Sequence, residues 1–112
     1  MNKISWDEFQ NVELRVGTII EVNDFPEARK AAYKLKIDFG VDIGIKKSSA
    51  QITDLYTKEN LLNKQIIGVI NFPIKQIGTF MSECLVTGFV KGDGNVVLAV
   101  PDSEVINGSK LA

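Results

Sequence analysis

Hydrophobic and polar residues alternate along much of this chain at the period of two expected for strands with one covered face. The cleanest case is Tyr33-Lys34-Leu35-Lys36-Ile37-Asp38-Phe39, which sends Tyr33, Leu35, Ile37 and Phe39 inward and Lys34, Lys36 and Asp38 outward. Gly40-Val41-Asp42 closes a hairpin, and Ile43–Ser49 pairs back. This sets Lys34, Lys36, Lys46 and Lys47 on neighbouring strands or the rim beyond them, where they repel unless an anion or the turn acids compensate. Upstream, Glu13–Val22 predicts a long strand with Val16, Thr18, Ile20 and Val22 on one face, and Gly17 as a bend that lets it join two sheets. Asn23–Arg29 breaks that strand, with Pro26 suited to the start of a turn.

Further on, Gln65–Ile70 is apolar on both faces, as in a strand covered on both sides. Cys84–Val90 predicts another strand, and the turn Lys91-Gly92-Asp93-Gly94-Asn95 returns it as Val96–Val100. Asn107-Gly108 marks a last tight turn, so the tail is expected as a small ordered hairpin. Two stretches are helical in pattern. Ser5-Trp6-Asp7-Glu8 is a capping box that opens a helix over Trp6 to about Val12. Thr53–Asn60 has a cap residue followed by an acid and predicts a short helix or helical turn. Trp6 and Phe9 share one stripe, and so large an apolar pair must pack onto the barrel end or onto a second subunit.

Five or six short strands, a helix between the third and fourth, and no βαβ unit define the expected fold. It is an all-β, five-stranded Greek-key barrel of the oligonucleotide/oligosaccharide-binding (OB) kind, with an N-terminal helix and a C-terminal extension. At 112 residues, 45% hydrophobic and 24% charged, residues 1–112 are expected as one domain that buries a core without disulfides or metal. No apolar run approaches the roughly 20 residues of a membrane helix, and the N-terminus has Trp6, Asp7 and Glu8 where a signal peptide needs a basic end. A cytoplasmic protein without membrane insertion is expected.

The chain has no histidine, which removes the usual general bases and most zinc sites. Ser48-Ser49 has no base to activate it, and the glycines have no phosphate-cradling spacing. The expectation is a binding protein and no enzyme, with no catalytic residue, metal or cofactor. The single cysteine, Cys84, lies in an apolar run and reads as a small buried hydrophobe. Net charge is −1, but it is unevenly spread. Asp7–Glu27 carries six acids and one base, and Arg29–Lys47 six bases and two acids. Screening hides charges beyond about 10 Å, so a near-neutral chain can still present a basic face to a polyanion.

Asn71-Phe72-Pro73-Ile74-Lys75-Gln76-Ile77-Gly78-Thr79-Phe80-Met81-Ser82-Glu83 stands apart from this pattern. It is too long for a turn, while Pro73 and Gly78 argue against a plain strand. A mixed loop between two core strands is where a small barrel carries function.

Together with that segment, Val12-Glu13-Leu14-Arg15-Val16-Gly17-Thr18-Ile19, Phe25-Pro26-Glu27-Ala28, Tyr33-Lys34-Leu35 and Ile45-Lys46-Lys47-Ser48-Ser49-Ala50 resemble the successive motifs of the tRNA-binding domain family. That family includes the C-terminal appendage of many bacterial methionyl-tRNA synthetases. Ile37-Asp38-Phe39-Gly40, Ile43-Gly44-Ile45-Lys46 and Lys47–Thr53 are closer still to its free-standing, CsaA-type branch. The resemblance covers essentially the whole chain.

It implies an OB-fold homodimer built through the chain ends, with Trp6 and Phe9 in the interface. It also implies a chaperone linked to protein export that binds tRNA, unfolded or secretory precursor proteins, or both, with the export machinery as a further partner. The alternative is a pure structure-specific tRNA-binding module that assists synthetases. Lys46, Lys47 and Lys75 can contact phosphates, with Ser48, Ser49, Asn71 and Ser82 hydrogen-bonding sugar or backbone oxygens. With no stacked aromatic platform evident, such a set suits recognition of a folded RNA by shape. Phe72, Ile74, Phe80 and Met81 would take apolar peptide segments, unless Phe72 and Ile77 plug the barrel. Many relatives have His-Pro where this chain has Phe25-Pro26, and more bases after Asn71. Fewer phosphate contacts lower affinity for RNA and flatten its salt dependence.

Overall fold

The computed structural model describes residues 1–112. In chain order the elements are α1 (Trp6–Gln10), β1 (Leu14–Asp24), β2 (Tyr33–Asp38), β3 (Ile45–Ala50), α2 (Lys58–Leu61), β4 (Gln65–Val69), β5 (Lys75–Ile77), β6 (Phe80–Ser82), β7 (Leu85–Val86), β8 (Gly88–Val90) and β9 (Val96–Leu98). The main sheet is antiparallel, in the order β3-β2-β1-β4-β7. It curls until its edges meet, where the buried Ser48 hydroxyl of β3 donates to the Cys84 carbonyl beside β7 at 3.0 Å. This is the nearly closed five-strand barrel expected of an OB-like fold.

β1 makes the curl possible. Its first half, Leu14–Thr18, pairs with β4, and its second half, from Thr18 on, pairs with β2. Gly17 lies near the changeover because the Phe39 ring packs on its backbone. A Cβ there would sit 2.6 Å from Ile37 Cγ2 and 2.7 Å from the Phe39 ring. The core is the barrel interior, with Ile19, Leu35, Ile37, Phe39, Ile52, Leu61 and Ile66 at its centre.

Several expectations change. Val16, Thr18, Ile20 and Val22 do not form one inward face. A register shift between Ile19 and Glu21 reverses the alternation, so Ile19 is fully buried and Ile20 is exposed. Ile19-Ile20 is apolar at both parities, so either residue could have pointed inward. The N-terminal helix has its capping box, with Ser5 Oγ accepting from the Glu8 amide and Glu8 accepting from the Ser5 amide, but it ends at Gln10. The second helix starts later than Thr53, because Thr57 and Asn60 form the capping box. Cys84–Val90 is not one strand. It divides at Thr87 into β7, which joins the barrel, and β8, which pairs with β9.

The tail is ordered but is not a hairpin of its own. It pairs with β1 through Val16 N–H to the Ser109 carbonyl, Gly108 N–H to the Val16 carbonyl and Leu111 N–H to the Leu14 carbonyl. Lys110 bonds the Gln10 carbonyl and Glu13, which draws the two chain ends together. The Asn71–Glu83 loop contains a β-hairpin, β5–β6, closed at Gly78-Thr79 where Gly78 has φ +61°. No helix is long and apolar enough to cross a membrane.

Candidate nucleic-acid interface

The β2–β3 register determines which lysines share a face. Lys36 stands directly opposite Lys47, and Lys34 opposite Ser49, while Leu35 opposes Ser48 on the inner side. Because successive side chains alternate, Lys46 falls on the opposite face from Lys47, across from Ile37. Lys34, Lys36 and Lys47 therefore form one outward group, and Lys46 is separate from it.

An aromatic pair lies beneath this group. Phe25, buried just after β1, packs its ring 5.4 Å from that of Phe80 on β6, with the planes tilted by 58°. The Lys34 ammonium lies 5.5 Å from the Phe25 ring centre and that of Lys47 5.6 Å from the Phe80 ring centre. These cation–π contacts hold the two ammonium groups beside the aromatic pair. Lys36 pairs with Glu21 at 3.6 Å. Asn23, Lys34, Lys36, Lys47 and Phe80 border a small hollow of about 160 Å³.

The β5–β6 hairpin is tied to β3 by a reciprocal pair of bonds. Glu83 Oε1 accepts from the Lys47 amide at 2.9 Å, and the Glu83 amide donates to the Lys47 carbonyl at 2.7 Å. The Ser49 amide donates to Ser82 Oγ at 3.3 Å. Beside this seam a cleft of about 330 Å³ is lined by Ser49, Gln51, Phe72, Pro73, Lys75, Ile77, Ser82, Cys84 and Leu85. Burial pushes the Cys84 thiol up to about 11, against an opposing hydrogen bond with Ser48.

Among the residues singled out from sequence, the structure brings Ser49, Phe72, Lys75 and Ser82 together in this cleft, and Lys47 and Phe80 on the adjoining ridge. Ser48 is enclosed in the barrel wall. Asn71 receives the Glu13 amide and donates to the Asn11 carbonyl, so its side chain holds the α1–β1 link. Ile74 and Met81 are exposed, and Phe80 is half-buried against Phe25. Phe72 does not plug the barrel, since it is 55% exposed. Trp6 and Phe9 pack on each other, 5.7 Å apart, and no residue of α1 is buried.

Four residues escaped the sequence-based selection of the site. Lys34 and Lys36 had a usable signal, because the hairpin places them on Lys47's face. Phe25 stands out in the sequence only as a departure from the His-Pro of many relatives, and nothing local pairs it with Phe80, far away in the chain. Gln51 had no usable signal, as it follows β3 in an irregular stretch.

Residues 14–110 match the family described as "Putative tRNA binding domain". Among solved structures, the chain is similar to the chaperone CsaA of Bacillus anthracis str. Ames at a TM-score of 0.93 and 44% identity, covering 99% of this chain and 100% of that one. It is also similar to the CsaA chaperone protein of Picrophilus torridus, at 0.91 and 55% identity, covering 98% and 100%. Among curated proteins, it is 36% identical over 111 residues to the methionine–tRNA ligase of Pyrococcus horikoshii, covering 99% of this chain. It spans 15% of that ligase's length.

Proposed function

Because the chain belongs to the tRNA-binding domain family, we propose that it is a non-catalytic tRNA-binding protein of the CsaA type. It would grip the phosphate backbone with the ridge Lys34, Lys36 and Lys47 and with Lys75 across the seam. The observation that carries this reading is the lysine–phenylalanine stack, Lys34 over Phe25 and Lys47 over Phe80. Like charges side by side weaken a sheet unless something offsets them. Here the aromatic underlay and the Glu21 carboxylate beside Lys36 offset part of the repulsion, and a polyanion would offset the rest. Lys46, Ser48 and Asn71 contribute little to this grip, from the opposite face, the barrel wall and the α1–β1 link respectively.

Binding of tRNA across a salt series tests the proposal. Four phosphate contacts give a slope of log affinity on log salt of roughly −3. Lys47→Glu should weaken binding about tenfold and shrink the slope by about one. Its side chain makes no intrachain ion pair, and loss of its contact with the Phe80 ring is offset by relief of the repulsion from Lys36 opposite, so thermal stability should change little. A wild-type slope near zero, or unchanged affinity in the variant, would reject the ridge.

A second function, as a cytoplasmic chaperone for unfolded or secretory precursors, is supported by the apolar side chains that the hairpin segment leaves in solvent. Phe72 is 55% exposed, Ile74 57% and Met81 39%. The protein would act as a homodimer through Trp6 and Phe9, supported by a helix that buries none of its residues on its own chain.

A further inference from the structure

The cleft beside the hairpin differs in chemistry from the lysine ridge. We infer that it is a pocket for one unpaired nucleobase, so the protein reads a base as well as gripping a backbone. This rests on the proposed RNA-binding role and deepens it.

Size is the first argument. At about 330 Å³ the cleft lies at the small end of the ~300–1,000 Å³ typical of ligand pockets, which suits one flat ring system and not a run of peptide. The walls are the second. Phe72, more than half exposed, and Pro73 offer flat apolar surface at one side, and Ile77 and Leu85 add to it. A base can stack on such a surface whatever its identity.

Polarity is the third argument and decides between occupants. Ser49, Gln51 and Lys75 line the cleft; Ser49 is half-buried, Gln51 and Lys75 are exposed, and none of the three side chains is engaged in a hydrogen bond within the chain. An apolar peptide side chain seated here would strip water from these groups and give nothing back. A nucleobase edge carries donors and acceptors together, which Gln51 can meet in pairs and Ser49 singly. Its attached phosphate would face Lys75. The Ser49–Ser82 bond and the Glu83–Lys47 pair fix the cleft's edge to the sheet that carries the ridge. A nucleotide could thus keep its phosphates on the lysines while its base turns into the cleft. On this inference, the recognition by shape expected from sequence is joined by recognition of at least one unstacked base.

Three probes separate the possibilities: oligoadenylate, an abasic ribose–phosphate oligomer of equal length and charge, and an RNA duplex. Oligoadenylate should bind at least about fivefold more tightly than the abasic oligomer, a modest allowance for one stacked base. It should also shift the amide resonances of Ser49 and Gln51. Phe72→Ala, at an exposed position, should erase that difference while leaving duplex affinity intact, and Gln51→Leu should reduce it. Equal binding of oligoadenylate and the abasic oligomer would overturn the base pocket. So would a difference that survives Phe72→Ala. An unfolded peptide that shifts Ser49 and Gln51 where oligoadenylate does not would give the cleft to the chaperone function instead. If tRNA and duplex still bind in those cases, only the base pocket fails. If no RNA binds at all, the RNA-binding role fails with it.

Discussion

At the scale of single residues, Cys84 and Ser48 show how far local pattern reaches. The apolar run around Cys84 was enough to read it as a buried hydrophobe, and the thiol is buried at 7% exposure. Ser48 gave no such warning, because its buried hydroxyl is satisfied by a carbonyl 36 residues away. A serine beside lysines looks like a ligand contact until the barrel closes around it. Burial favours the neutral thiol, holding its pKa at about 11 against an ordinary 9.0. The sign of the linkage follows. Between pH 9 and about 11 the unfolded chain releases a proton that the folded chain retains, so this group's contribution to stability is intact below pH 9 and is lost across that window. In the folded protein at pH 8, Cys84 should react with an aromatic disulfide reagent far more slowly than in denaturant. Equal rates in the two states would mean that the thiol is not enclosed.

At the scale of elements, strands with a strict period of two were legible and those with an ambiguous one were not. Tyr33–Phe39 alternates without exception, and Tyr33, Leu35, Ile37 and Phe39 line the inner side as expected. β1 departs from its expected facing because Ile19-Ile20 offers an apolar side chain at either parity, and the bulge that chooses between them lies in its pairing with β2. The Asn71–Glu83 segment looked like a loop because Pro73 and Gly78 punctuate it. Only three residues on each side form the ladder that makes it a hairpin. So short a hairpin is not stable alone; the Glu83–Lys47 pair of bonds and the Ser49–Ser82 bond tie it to β3, and Phe80 packs on Phe25. Glu83→Ala would leave the Lys47 amide without its side-chain acceptor. It should cost about 1–2 kcal/mol in urea unfolding, below the full value for a charged acceptor because the site is partly solvated. The backbone amides of β5 and β6 should exchange with deuterium faster while those of β2 do not. Unchanged exchange in the hairpin would show that Phe80 on Phe25 suffices to hold it.

At the scale of the whole molecule, the distribution of apolar surface points to a partner that the single chain does not supply. The capping box made α1 legible from four residues, and its Trp6–Phe9 stripe was legible too, but not what covers it. In the folded chain Trp6 remains 67% exposed, Ile4 66% and Val12 39%. The tail, tied to this end by Lys110 on the Gln10 carbonyl, leaves Leu111 45% exposed. Side chains that could have capped the barrel end are instead presented to solvent from both chain ends. Exposed apolar side chains at this end are what the proposed homodimer would cover, and a second copy carries the same surface, as an isologous two-fold contact requires. In sedimentation at micromolar concentration the chain should therefore run as a dimer. Trp6→Ser should shift it to monomer without lowering the thermal stability of the barrel, because Trp6 is two-thirds exposed and lies on a helix with no buried residue. A wild-type monomer would remove the homodimer, and a Trp6→Ser dimer would move the interface away from α1. Either result would leave the lysine ridge to be judged on its own salt dependence, because Lys34, Lys36 and Lys47 are set by the β2–β3 register within one chain.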